Sequence, residues 1–177
     1  MTLSIGQQAK EFNLPGVDGK SHALSEFKDR KAVLIIFSCN HCPYVQAYED
    51  RIMDIQRDYQ SKGVQVIAIN SNDAVNYPDD SFDNMKARTK EKKFNFLYLR
   101  DESQQTARDY GATHTPHLFL LDGEFNLRYT GKIDDNWQEP SKVTHRYLRD
   151  ALDAILSAKP VAQPETHAIG CTIKWLH

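Results

Sequence analysis

Two cysteines separated by two residues, Cys39-Asn40-His41-Cys42, are the part of this chain best suited to chemistry. Thiols at that spacing can pass between dithiol and disulfide: one attacks a substrate disulfide as a thiolate, and the other resolves the mixed disulfide. The apolar run Ala32-Val-Leu-Ile-Ile-Phe37 ends just before them and reads as a buried strand. After them Tyr44, Tyr48, Ile52, Ile55 and Tyr59 fall on one helical stripe, with Gly63 as its stop. The pair therefore lies where a strand hands over to a helix. Partial positive charge and unpaired N–H groups at a helix N-terminus favour a thiolate, so Cys39 is expected to be a nucleophile of lowered pKa.

Properties of the whole chain narrow the function further. At 177 residues, with 40% hydrophobic and 26% charged residues, it suits one folded domain. A net charge of -2 gives no electrostatic attraction to nucleic acid or an anionic membrane. No apolar run approaches the roughly 20 residues that span a bilayer. The first residues lack the basic region and apolar core of a signal peptide, so the cytoplasm is the expected compartment. Three cysteines are too few, and odd in number, for a structural disulfide framework.

The elements that must position the cysteines can be read in order. Asp18-Gly19, flanked by apolar residues, predicts an N-terminal β-hairpin. The strand at 32–37, a helix from about 43 to 62 and the strand Val64–Ile69 form a parallel βαβ unit with a right-handed crossover. Asp79, Asp80 and Asp83 are read as the acidic start of a helix whose far end carries Lys90, Lys92 and Lys93. A short strand within 94–99, a helix at about 103–110 and a hairpin turned at Asp122-Gly123 follow. The last helix is expected at about 142–157. The fold class is thus α/β, a three-layer sandwich on a central mixed sheet. Residues 1–158 make the domain, and 159–177 an extended tail whose apolar end docks on it.

A Cys-x-x-Cys after the first core strand of a βαβ unit resembles a thioredoxin-like redox motif. Thr115-Pro116 before the strand Leu118–Leu121 stands about where thioredoxin-fold proteins keep a cis-proline facing their cysteines. Phe12-Asn-Leu-Pro15, Asp18-Gly-Lys20 and Leu24-Ser-Glu-Phe27 are similar to the redoxin branch, which groups peroxiredoxins (AhpC/TSA) and TlpA/ResA-type proteins. Asn70-Ser-Asn-Asp73, Tyr77-Pro-Asp-Asp80, Asp134-Asp135 and Gly170-Cys-Thr-Ile-Lys-Trp175 resemble a peroxiredoxin-like thioredoxin-family group.

The resemblance implies a thiol–disulfide oxidoreductase with Cys39 nucleophilic, Cys42 resolving, and Thr115 and Pro116 holding the substrate. Its partners would be a protein or small-molecule disulfide and a thiol electron donor, with no cofactor. Asn40 and His41 would tune the pair: a His before the second cysteine that stabilises the thiolate makes the pair more oxidising than thioredoxin's.

Three departures from the family patterns open alternatives. Peroxiredoxins carry a Thr three residues before their reactive cysteine, where Cys39 stands relative to Cys42, and an Arg that is missing from Thr113–Leu121. Both absences weigh against a thiol-dependent peroxidase, which stays the second reading on the family resemblance. No carboxylate lies in Val33–Phe37 to accept protons, so another residue or water must do so. His114 and His117 bracket Pro116, and with Cys39, Cys42 and Cys171 they could supply zinc or copper ligands in a non-catalytic or redox-sensing protein. No metal is assigned. Cys171 either covers or exchanges with the pair, or packs as a small hydrophobe.

Overall fold

The computed structural model of the protein describes residues 2–177. A short hairpin, β1 (Asn13–Pro15) and β2 (Ser21–Ala23), precedes the core. β3 (Ala32–Ser38) is buried at every residue, as expected of a strand covered on both faces. α1 (Pro43–Tyr59) follows, and Gly63 ends the helical stretch in the left-handed region at φ 89°. β4 (Val64–Asn70) returns parallel to β3. α2 (Phe82–Lys92) starts later than the acidic residues predict, because the Ser81 hydroxyl caps it by accepting from the Asn84 N–H.

β5 (Leu97–Arg100), α3 (Gln105–Tyr110), β6 (His114–Thr115), β7 (His117–Asp122) and β8 (Leu127–Gly131) complete the sheet region. α4 (Tyr147–Leu156) begins about five residues after its expected start, since Pro140–Lys142 forms a separate helical turn. A two-residue strand, β9 (Cys171–Thr172), pairs antiparallel with β6.

The main sheet runs β5-β4-β3-β7-β8, with β3, β4 and β5 parallel and β7 and β8 antiparallel. Alternation along β3 divides the core. Ala32, Leu34 and Ile36 pack with Tyr48, Ile52 and Ile55 of α1, Met85 of α2 and Leu148 and Leu152 of α4. Val33, Ile35 and Phe37 pack with Ala107 and Tyr110 of α3, the N-terminal Phe12 and Phe27, and Ile173 from the chain's end. The C-terminal edge of β3, β4 and β5 is left open, where ligands bind in open α/β sheets. Both cysteines emerge there.

Candidate active site

Cys39 is the first residue beyond β3, and Cys42 is the N-cap of α1, with Pro43 at the first helical position. The strand and the helix are both anchored in the core, so the turn between them has little freedom. All three cysteines are free thiols. The Thr115–Pro116 peptide bond is cis. The Cys39 Sγ lies 3.4 Å from the Thr115 hydroxyl, and the Cys42 Sγ lies 3.4 Å from the Thr115 carbonyl oxygen. Cys171, opposite Thr115 in the β6–β9 ladder, brings its Sγ to 2.9 Å from that of Cys42.

Ionisation of the pair is the reverse of the sequence expectation. The Cys39 thiol is pushed up, first by its hydrogen bond to Cys42, then by burial and by the negative charge of Asp80. The Cys42 thiol is pulled down, first by that hydrogen bond from Cys39 and further by Cys171, against the cost of burial. The shared proton therefore rests on Cys39. The helix begins at Cys42, not Cys39, so a first-turn N–H, that of Val45, also bonds the second cysteine and lowers its pKa. The Cys171 thiol is raised by burial and by the neighbouring Cys42.

Asn40 and His41, expected to act together, diverge. Asn40 is buried, its N–H donating to Asp80 Oδ1 at 2.7 Å, its Nδ2 to the Asp79 carbonyl at 2.9 Å, and its Oδ1 accepting from Tyr98 OH at 2.8 Å. It holds the turn rather than touching a sulfur. The His41 side chain is 74% exposed, with Nε2 3.9 Å from Asp79 Oδ2. Its expected role in stabilising the Cys39 thiolate has no contact to support it.

His114 and His117 flank Pro116 in sequence but bond to Thr113 and Thr130 rather than to a sulfur. His114 Nδ1 is 2.8 Å from the Thr113 hydroxyl. His117 Nδ1 accepts from the Thr113 N–H at 3.2 Å, and its Nε2 is 3.4 Å from Thr130 Oγ1. Burial, and then the nearby His114, lower the His117 pKa to about 4, so the ring is neutral. Among the described residues no three Cys, His, Asp or Glu side chains converge as a metal-holding group.

The residue missed in the sequence is Asp80. Read as a helix-opening acid, it is 4% exposed and accepts from the Asn40 N–H, Asn70 Nδ2 (3.1 Å) and Asn72 Nδ2 (3.0 Å). It is the buried carboxylate beside Cys39 that the strand itself lacks. Its only sequence signal was its place in the Tyr77–Asp80 segment that carries the family resemblance. A pocket of about 240 Å³ opens between this carboxylate and the tail, bordered by Cys39, Cys42, Tyr77, Asp80, Cys171 and Lys174.

Comparison with known proteins shows the family and the fold. The model of the AhpC/TSA family matches residues 5–133. Peroxiredoxin Q of Triticum aestivum is 28% identical over 109 residues, covering 62% of this chain and 46% of the relative. The thiol-disulfide oxidoreductase ResA of Geobacillus thermodenitrificans is 25% identical over 122 residues, covering 68% and 64%. The chain thus spans about half to two thirds of the length of these curated relatives. A crystal structure of a hypothetical protein from Sinorhizobium meliloti 1021 superposes with a TM-score of 0.93 at 40% identity, covering 99% of this chain and 97% of that one. Thioredoxin-fold redoxins of lower identity share the same layered sheet.

Proposed function

The chain belongs to the AhpC/TSA family and has the thioredoxin-like redoxin fold, and from that premise we propose that it is a thiol–disulfide oxidoreductase cycling Cys39 and Cys42 between dithiol and disulfide. The observation that carries this reading is the meeting of both sulfurs at Thr115, each 3.4 Å from one of its oxygens. The Cys42 thiolate attacks a substrate disulfide, forming a mixed disulfide and releasing one substrate thiolate. Cys39 then gives up its proton and attacks the Cys42 sulfur, forming Cys39–Cys42 and releasing the second thiol. A dithiol donor returns the two electrons. This order inverts the roles implied by the family resemblance, and the position of Cys42 at the helix start supports the inversion.

Asp80 is positioned to hold the Asn40 turn and to keep the proton on Cys39 until the second step. Substrates are disulfides of protein or small-molecule origin, and the cytoplasm is the proposed compartment. No helix among the described residues is long and apolar enough to cross a membrane.

The test is disulfide-exchange and insulin-reduction activity of wild type, Cys42→Ser and Cys171→Ser. Cys42→Ser is expected to lose turnover by a factor on the order of a thousand or more, because the attacking sulfur is gone. Oxidised Cys171→Ser is expected to carry a Cys39–Cys42 disulfide in its peptide mass map. Wild-type turnover in Cys42→Ser, or no such disulfide in Cys171→Ser, overturns the proposal.

A thiol-dependent peroxidase is the second reading, favoured by the Cys42 thiolate and the likeness to peroxiredoxin Q. Against it stand Cys39 in place of the threonine and the lack of an arginine in Thr113–Leu121. Peroxide consumption no faster than that of free cysteine excludes it.

A further inference from the structure

The chain's last residues do not simply trail across the domain. Thr130 and Thr166 hold the tail to the edge of β8, through Thr130 N–H to the Pro164 carbonyl at 2.9 Å and Thr166 N–H to the Thr130 carbonyl at 3.0 Å. Beyond Cys171, the Ile173 N–H donates to the Thr113 carbonyl at 3.0 Å, and the Lys174 N–H to Asn72 Oδ1 at 2.9 Å. The Lys174 carbonyl accepts from the Asp73 N–H and from Gln104 Nε2. Cys171 is therefore clamped on both sides.

Gly170 makes the approach fit. A Cβ at this position would lie 2.0 Å from the Thr115 carbonyl oxygen and 3.2 Å from the Pro116 nitrogen. Only a residue without a side chain lets the strand lie flush on Thr115, which is what brings the Cys171 sulfur to 2.9 Å from Cys42. Cys171 is half-buried, with Cys39, Cys42, Tyr44 and Val45 as its cluster. A cysteine serving as a small hydrophobe needs no such alignment of sulfur on sulfur.

We propose that Cys171 is a third redox cysteine, the thiol that closes a disulfide with Cys42 after Cys42 has reacted, so that Cys42 is shared by two alternative disulfides. This rests on Cys42 being the attacking sulfur. In the first step the Cys42 thiolate opens a small disulfide RSSR, giving Cys42–S–S–R and RS⁻. In the second, Cys171 loses its proton and attacks the Cys42 sulfur, giving Cys42–S–S–Cys171 and RSH. Cys39 then exchanges with this bond, giving Cys39–S–S–Cys42 and returning the thiol to Cys171. No step needs an outside oxidant beyond RSSR. Burial and the neighbouring Cys42 both raise the Cys171 thiol, and the second influence ends once Cys42 is in a disulfide. Because the tail occupies the edge of β6, the entrance left open is the 240 Å³ pocket, which suits a small disulfide rather than an extended polypeptide.

The experiment uses full-length Cys39→Ser protein and equimolar dithiodipyridine, a small aromatic disulfide whose released thione is read by absorbance. Both halves of the reagent are expected to leave, and the peptide map to contain Cys42 linked to Cys171. A half retained on Cys42, with no linked peptide, overturns the proposal. Gly170→Val in the same background, checked for folding by circular dichroism, should not slow the first release. It should slow the second on the order of a hundredfold, the cost of a misplaced reacting group. If that variant does not fold, the Cys39→Ser result alone decides. Cys171→Ser separates this idea from the one beneath it: a Cys39–Cys42 disulfide there with no Cys42–Cys171 bond in Cys39→Ser sinks only the third cysteine.

Discussion

The two walls that close on the cysteine pair are built by different means. Beside Cys39, Asp80 gathers hydrogen bonds from Asn40, Asn70 and Asn72, and Tyr98 OH completes the Asn40 side chain, all of it buried. Beside Cys42, the wall is a two-residue ladder between β6 and β9, held by a glycine contact and by backbone bonds to Asn72 and Gln104. The first wall is a polar network in which three donors, the Asn40 N–H and the Asn70 and Asn72 amides, share one carboxylate. The second is a strand of two residues at the end of the chain, anchored beyond Cys171 by the buried Ile173. The first wall sets a negative charge beside Cys39, and the second sets a third thiol beside Cys42.

The largest expected effect comes from breaking the first wall. Asp80→Ala leaves the Asn40 N–H and two amide groups without their acceptor in a buried site, costing about 3–5 kcal/mol in stability, since each orphaned donor costs about 1–3 kcal/mol. Urea unfolding measures it. The same variant should lower the Cys39 thiol pKa, seen in a thiolate absorbance titration, because the nearby negative charge is removed. Unchanged stability would mean the network does not hold the turn.

Acid should act on the other wall. His117 accepts from the Thr113 N–H, and Thr113 in turn bonds the tail at Ile173. Its pKa is about 4 in the folded protein, against about 6.5 unfolded, so between those values the unfolded chain binds the proton and the folded one does not. Stability contributed by this group is complete above pH ~6.5 and falls by about 3 kcal/mol at most as pH drops to ~4. Unfolding curves at several pH values should show this fall in wild type, and His117→Gln should lack it.

A smaller effect is expected from Gly170→Ala. Added bulk against the Thr115 carbonyl should loosen the tail and speed alkylation of Cys42 by about tenfold, equivalent to about 1.4 kcal/mol of local opening. An unchanged rate would show that the tail is not what shields Cys42.

The smallest belongs to His41. The pair should be more oxidising than thioredoxin, above about -270 mV, because its reduced form carries a stabilised Cys42 thiolate. Exposed His41 contributes little to that, and His41→Ala should move the potential by about 10 mV or less in a thiol–disulfide redox titration.

The sequence by itself determined the elements and the chemistry class. Hydrophobic runs and helical periodicity are local properties, so β3, α1, β4 and the β7–β8 hairpin lie where the pattern predicts them, within a residue or a few. Cys-x-x-Cys after a core strand, followed later by Thr115-Pro116, pointed to the thioredoxin-like fold, and the segments Phe12–Pro15, Asp18–Lys20 and Leu24–Phe27 to the redoxin family. Tertiary structure decided the ionisation, because a pKa is set by groups distant in sequence: Asp80 lies 41 positions from Cys39, and Cys171 lies 129 from Cys42. It also converted an apparent helix-opening acid into the buried acceptor of three donors, and it set Cys171, which the sequence left either against the pair or packed as a small hydrophobe, 2.9 Å from the Cys42 sulfur. Neither contact leaves a local trace, since chain folding brings the groups together through backbone bonds and a glycine-sized gap that residue types alone do not encode.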